Sequence, residues 1–133
     1  MKKLVLYLLI LVTSIGYARA QQKGTAEIKF DQTSFNFGTF SENNPVVSHV
    51  FTFKNEGDAP LVIHQAVASC GCTVPEFTEE PVMPGKTGTV KITYDGTGKY
   101  PGKFKKSITL RTNAKTEMLR LYIEGNMTPK DEK

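Results

Sequence analysis

Between residues 26 and 123 the apolar side chains recur at every second position in short runs, and each run is bounded by Gly, Pro, Asn or Asp. Successive side chains of an extended chain point to opposite sides, so this period marks strands with one dry face and one wet face. Ala26, Ile28 and Phe30 alternate with Glu27 and Lys29, and Phe35 and Phe37 follow before Gly38. Val47, Phe51 and Phe53 share one parity of the run 46–54, which stops at Asn55-Glu56-Gly57-Asp58. Leu61, Ile63 and Val67 are placed on one face of the next run, and Val90, Ile92 and Tyr94 alternate with Lys91 and Thr93 up to Asp95-Gly96. Phe104, Ile108 and Leu110 mark a further run, and Leu119, Leu121 and Ile123 the last. About seven strands in roughly a hundred residues predict an all-β chain, an immunoglobulin-like antiparallel β-sandwich, with a barrel as the competing architecture.

The strongest local objection is the segment 114–124, which has no Gly or Pro apart from its flanks and is rich in helix formers. The spacing of Leu119, Leu121 and Ile123 favours a strand entered through a turn at Asn113-Ala114-Lys115. Residues 127–133 are polar, carry a Pro, and are expected to fray. With 11 Gly, 7 Pro and ordinary apolar content, the chain reads as a folded protein of many short elements rather than a helix bundle or a disordered one.

The N-terminus has the three parts of a secretory signal: Met1-Lys2-Lys3, an apolar stretch from Leu4 to Ile15, and Ala18-Arg19-Ala20 with small residues where a signal peptidase reads. The apolar stretch is short for a bilayer, which needs roughly 20 residues, so an uncleaved anchor is the weaker alternative. Residues 1–20 are therefore expected to be a signal peptide, and residues 21–133 a single sandwich domain with a short polar tail. Cleavage removes Lys2, Lys3 and Arg19, which takes 17 basic residues to 14 against 13 acidic ones and the net charge from +4 to +1. That balance carries no argument for nucleic acid, and no stable membrane insertion is expected after cleavage. Lys99, Lys103, Lys105, Lys106 and Arg111 crowd one hairpin, which reads as a solvated strand edge.

Cys70 and Cys72, separated by Gly71, are the only cysteines. In an oxidising compartment two thiols this close are expected to pair or to bind something. A bridge from position i to i+2 needs a bent backbone, for which Gly71 could supply positive φ. Its three-residue loop would stabilise the fold by only roughly 1.6 kcal/mol, so its expected role is local rigidity or redox lability. A metal reading would recruit His64, His49 or Met83, a mixed donor set suited to Cu(I) or zinc, but no second close ligand pair is present. His64 has the parity of an outward residue, His49 reads as a strand-end or hydrogen-bonded histidine, and Met83 as packing. Hydrolase and phosphate-loop motifs are missing from the sequence, so no catalytic residue, metal ligand or cofactor is assigned.

Phe35-Asn36-Phe37-Gly38, Phe51-Thr52-Phe53-Lys54-Asn55-Glu56-Gly57, Pro60-Leu61-Val62-Ile63, Ser69-Cys70-Gly71-Cys72-Thr73-Val74-Pro75 and Pro84-Gly85 stand in the order found in the DUF1573 family of exported bacterial proteins, which the chain resembles over residues 26–127. The resemblance implies a sandwich similar to the ASPM, SPD-2 and Hydin modules and implies no activity. Within that frame Asn55 and Gly57 suit a tight turn, and Pro84-Gly85 suits a type II turn. The functional expectation is an exported, non-catalytic module, periplasmic or secreted, that is protein-binding or structural in the cell envelope, its partner an unidentified envelope or extracellular protein. A redox or metal-handling protein using Cys70 and Cys72 is the alternative.

Overall fold

The computed structural model describes residues 24–130, so the expected signal segment lies outside the described residues. Eight strands follow one another: β1 (Ile28–Phe30), β2 (Ser34–Ser41), β3 (Val46–Asn55), β4 (Ile63–Ala68), β5 (Thr73–Phe77), β6 (Thr87–Asp95), β7 (Gly102–Thr112) and β8 (Met118–Thr128). They build two four-stranded sheets, ordered β1-β3-β6-β5 and β2-β8-β7-β4, and no helix occurs among the described residues. The all-β sandwich read from the alternation is the observed architecture. One sheet contributes Phe51, Phe53, Val90, Ile92 and Tyr94 to the core, and the other Ile108, Leu110, Leu121 and Ile123, all buried. Removing such side chains from water stabilises the fold by about 1.5–3 kcal/mol each, which ties the two inner faces together.

Two features go beyond the sequence reading. The chain crosses from one sheet to the other at Asp31–Thr33 without reversing, so β2 lies parallel to β8, with Phe35 opposite Ile123. The eighth strand is β5, a five-residue segment around Pro75 that pairs only with β6.

The segment 114–124 is a loop followed by strand, as its spacing indicates. Leu119 and Leu121 stand opposite Leu110 and Ile108 in the antiparallel β7–β8 pair. The loop closes where the Thr112 N–H donates to the Glu117 carbonyl at 2.8 Å and the Thr112 hydroxyl to the Thr116 carbonyl at 2.9 Å. Strand β8 continues through Thr128, and Met127 is buried, so the fraying expected from residue 127 does not begin there. Met127 stands opposite Gly102, with its thioether beside Gly96.

Pro84-Gly85 makes the type II turn. Lys86 N–H donates to the Met83 carbonyl at 3.0 Å, and Gly85 has φ 79°, a value costly for any residue with a Cβ. Asn55 does more than turn the chain. It is wholly buried, and its side-chain Nδ2 donates to the carbonyls of Ala59 and Val82, both at 2.8 Å. Its Oδ1 accepts the N–H of Gly57 at 2.9 Å and of Glu27 at 3.4 Å. One amide thus joins β1, the β3–β4 turn and the segment leading into β6.

A β-bulge between Ile63 and Gln65 alters the reading of β4. One extra residue reverses the parity of everything after it. Ile63 stays buried, but Val67, expected on the same face, points outward with 47% of its surface exposed, and Ala66 and Ala68 turn inward against the core.

Candidate functional site

Cys70 and Cys72 sit where the chain passes from β4, the edge of one sheet, to β5, the edge of the other. Their sulfurs adjoin and their Cα atoms are 5.2 Å apart. Cys72 is buried and Cys70 half-buried, and the Cys72 N–H donates to the Cys70 Sγ at 3.1 Å. The Thr73 N–H donates to the Cys70 carbonyl at 3.1 Å, which tightens the turn. Gly71 is not among the positive-φ glycines, and a Cβ placed on it would meet nothing within 4 Å. The bend is therefore made without left-handed backbone, contrary to the expectation for this glycine.

The donors weighed for a metal do not converge on this turn. His64 is exposed at the far end of β4, six residues from Cys70, or roughly 20 Å along an extended strand. Met83 is exposed in the connection leading into β6. His49 is not at a strand end, and its side chain makes no hydrogen bond among the described residues. It lies inside β3, stacked on Phe35 at 3.6 Å between ring centroids, with the Phe51 ring edge-on at 4.7 Å. Burial among these rings holds its imidazole below the usual pKa. Among the described residues no group of three or more His, Cys, Asp or Glu side chains is placed to hold a metal ion. Beside Cys72, the Asp95 N–H donates to the Cys72 carbonyl at 2.8 Å. Hydrogen bonds from Thr97 hold the Asp95 carboxyl below its ordinary value, while burial and then the Asp95 charge raise the Tyr94 phenol.

Backbone donors and acceptors are also open along the sheet edges, of which there are four among the described residues. In β1 the hydrogen bonds from Glu56 N–H to Glu27 and from Asp31 N–H to Thr52 show that only Ile28 and Phe30 face outward, in a strand of three residues. In β2 the edge is broken by a bulge at Gly38, φ 70°, whose N–H is taken by the Asn36 side chain at 2.7 Å. In β5 the bonds from Asp95 N–H to Cys72 and from Thr78 N–H to Thr89 fix the alternation, so that Thr73, Pro75 and Phe77 face away from β6. The Thr73 donor is consumed by the cysteine turn and Pro75 has none, which blunts that edge.

Strand β4 carries none of these devices beyond the bulge at its start. The Ser69 N–H donates to Ser107 at 2.9 Å, so Gln65, Val67 and Ser69 bond to β7 while Ala66 and Ala68 turn their N–H and C=O groups outward. The basic cluster is also placed differently from expectation. Its strand β7 lies between β8 and β4 and is no edge. Lys103, Lys105 and Arg111 stand with Arg120 of β8 on the outer face of that sheet, and of these Arg111 lies beside β4, opposite Gln65. Lys105 Nζ lies 5.1 Å from the Tyr122 ring centroid. Among the described residues the one ion pair is Lys29 with Glu56 at 3.9 Å, so these four cations have no bonded carboxylate.

Comparison with known proteins agrees with this geometry. The family model described as a protein of unknown function, DUF1573, matches residues 28–127. No curated protein sequence matches the chain. A Porphyromonas gingivalis W83 protein of unknown function has a similar structure, with TM-score 0.66 and 16% identity over 83% of this chain, and the chain spans 50% of that protein's structure. The ASH/PapD-like domain 7 of human CEP192 is similar with TM-score 0.64 and 12% identity, covering 86% of this chain and 94% of that domain. The periplasmic chaperone SfaE is similar with TM-score 0.53 and 13% identity, covering 79% of this chain and 59% of that one. At these identities the likeness is one of fold.

Proposed function

The chain belongs to the DUF1573 family, and we propose that it is an exported, non-catalytic protein-binding module of the cell envelope. The observation that carries this reading is the strand edge at Ala66 and Ala68, left unpaired in a sandwich whose other edges are short, bulged or closed by proline. An open edge binds by adding a strand, and main-chain hydrogen bonds then give affinity without a pocket or a cofactor. A fold shared with a periplasmic chaperone and with a PapD-like domain supports the same reading. So do the lysine-led apolar N-terminus and the cysteine pair, which suit export to an oxidising compartment. In that compartment residues 21–133 form one domain, and Cys70 and Cys72 are bridged, a local staple that shapes the β4–β5 corner. No helix of the described residues is long and apolar enough to cross a membrane.

Two measurements test this. Intact mass of the protein from the exporting cell should correspond to a chain beginning at Gln21, and a product retaining Met1 in the membrane fraction contradicts export. Photo-crosslinkers placed singly at Val67, Lys29, Asn36 and Glu76 in those cells should give adducts with another protein from at least one position. Free protein at all four contradicts the binding role.

One observation favours a second reading, in which the cysteine pair is redox-active. The N–H of Cys72 aimed at the Cys70 sulfur would stabilise a thiolate there on reduction. Rapid exchange of Cys70 with a dithiol substrate, lost in Cys70→Ser, would support it.

A further inference from the structure

We infer that the β4 edge takes an extended segment of an acidic partner protein in which apolar and carboxylate side chains alternate. The inference rests on the protein-binding reading and adds the place and the chemistry of the partner. A strand added beside β4 would bond to Ala66 and Ala68, whose N–H and C=O groups point away from β7. Its side chains would then alternate between two different surroundings.

Toward the sandwich they meet Ala66, Ala68 and Cys70 of one sheet edge and Phe77 of the other, all partly buried apolar groups packed on the core. An incoming apolar side chain would cover these partly buried groups. Away from the sandwich the side chains stand beside Gln65 and Val67 and, one strand further in, beside Arg111 opposite Gln65. Lys105 and Lys103 follow on β7 past the end of β4 and Arg120 lies one strand further in, on β8, while Glu117 lines the same hollow as Arg111 and Glu124 stands in register with Lys105. Strands lie about 4.8 Å apart, so Arg111, two strands away on β7, reaches a carboxylate on the added strand. The same face disfavours a second copy of this chain. Antiparallel β4–β4 pairing would continue one sheet through two such positive faces, and like charges side by side oppose it.

The test uses the purified protein and three eight-residue probes, valine alternating with glutamate, with glutamine and with lysine. The glutamate probe should bind best, lose at least about tenfold in affinity between 50 and 500 mM salt, and slow amide exchange at Ala66 and Ala68. The lysine probe should not bind. Arg111→Glu should weaken the glutamate probe about tenfold. Ala68→Pro removes only an outward donor and should abolish binding, and Val67→Glu, on the exposed face, should weaken it without touching the β4–β7 ladder. Equal, salt-independent binding of the glutamate and glutamine probes would overturn the acidic partner while leaving protein binding intact. Protection at β1, β2 or β5 with Ala66 and Ala68 unchanged, or no binding of any probe, would overturn the site. Protection of Ala66 and Ala68 that grows with protein concentration alone would make a second copy the occupant and overturn the inference. Adducts from the in-cell crosslinking are read separately, so a failed partner chemistry is distinguishable from a failed binding role.

Discussion

Replacing Asn55 by Ala should cost about 3 kcal/mol, because its side-chain bonds tie the β3–β4 turn to β1 and to the segment leading into β6. Three of them, to the Ala59 carbonyl, the Val82 carbonyl and the Gly57 N–H, lie between 2.8 and 2.9 Å. At about 1 kcal/mol net apiece they sum to the stated loss, and the longer bond from Glu27 adds little. The Val82 carbonyl keeps the Leu61 N–H as a partner at 2.9 Å, so the penalty falls on Ala59 and Gly57. A domain of this size has about 5–15 kcal/mol to lose, so the variant should fold and melt early. In urea, with a slope of about 2 kcal/mol per M, the midpoint should fall by about 1.5 M. Asn55→Asp separates donor loss from simple loss of contact. Its carboxylate would still accept from Gly57 but would face two carbonyl oxygens with no proton to offer, in a fully buried position. Its folded-state pKa is raised, so it should be less stable than the Ala variant at pH 7 and recover as pH falls and the carboxyl gains a proton to donate. A loss below about 1 kcal/mol for Asn55→Ala, or an Asp variant as stable as Ala at neutral pH, would refute the reasoning.

Three further outcomes are expected. His49 favours its neutral form in the folded state, so the unfolded chain takes up the proton first: stability should be full above pH 6.5 and decline as pH falls below it, and His49→Phe, read by thermal melts across pH 5–8, should remove that slope. Cys70→Ser with Cys72→Ser should leave the far-UV circular dichroism unchanged and lower stability in urea by about 2 kcal/mol or less, the loop between them being three residues long. Pro75→Thr restores an outward donor to β5, and should raise the association state in sedimentation velocity while changing stability by no more than about 0.5 kcal/mol.

The sandwich was legible because most strands bury one face, and period 2 survives wherever a strand is unbroken. It failed at β4, where a single inserted residue exchanges inside for outside: Val67 carries the parity of Ile63 in the sequence and the opposite face in space. Strand β5 escapes the alternation because Thr73–Phe77 is short and contains Pro75, although proline in a strand is itself the mark of an edge. The sequence marks Asn55 as a turn former. Its burial follows from the approach of β1 and of residues 82–86, which are distant in sequence. The cysteine pair stood out by residue type, whereas the open edge beside it depends on which strands pair, and backbone donors have no letter in a sequence. The lysines and Arg111 were visible as a cluster, but whether β7 lies at an edge or inside a sheet is decided by β4 and β8 together.

Residue-resolved amide exchange of the free protein tests the open β4 edge most directly. Val67 and Ser69 donate into the β4–β7 ladder, while Ala66 and Ala68, one residue away on the same strand, donate to solvent. The account predicts that Ala66 and Ala68 exchange at least ~100-fold faster than Val67 and Ser69 in dilute protein, a contrast that burial of the strand as a whole cannot produce. Equal and strong protection of all four amides would mean that the edge is already paired, and would contradict the binding site built on it.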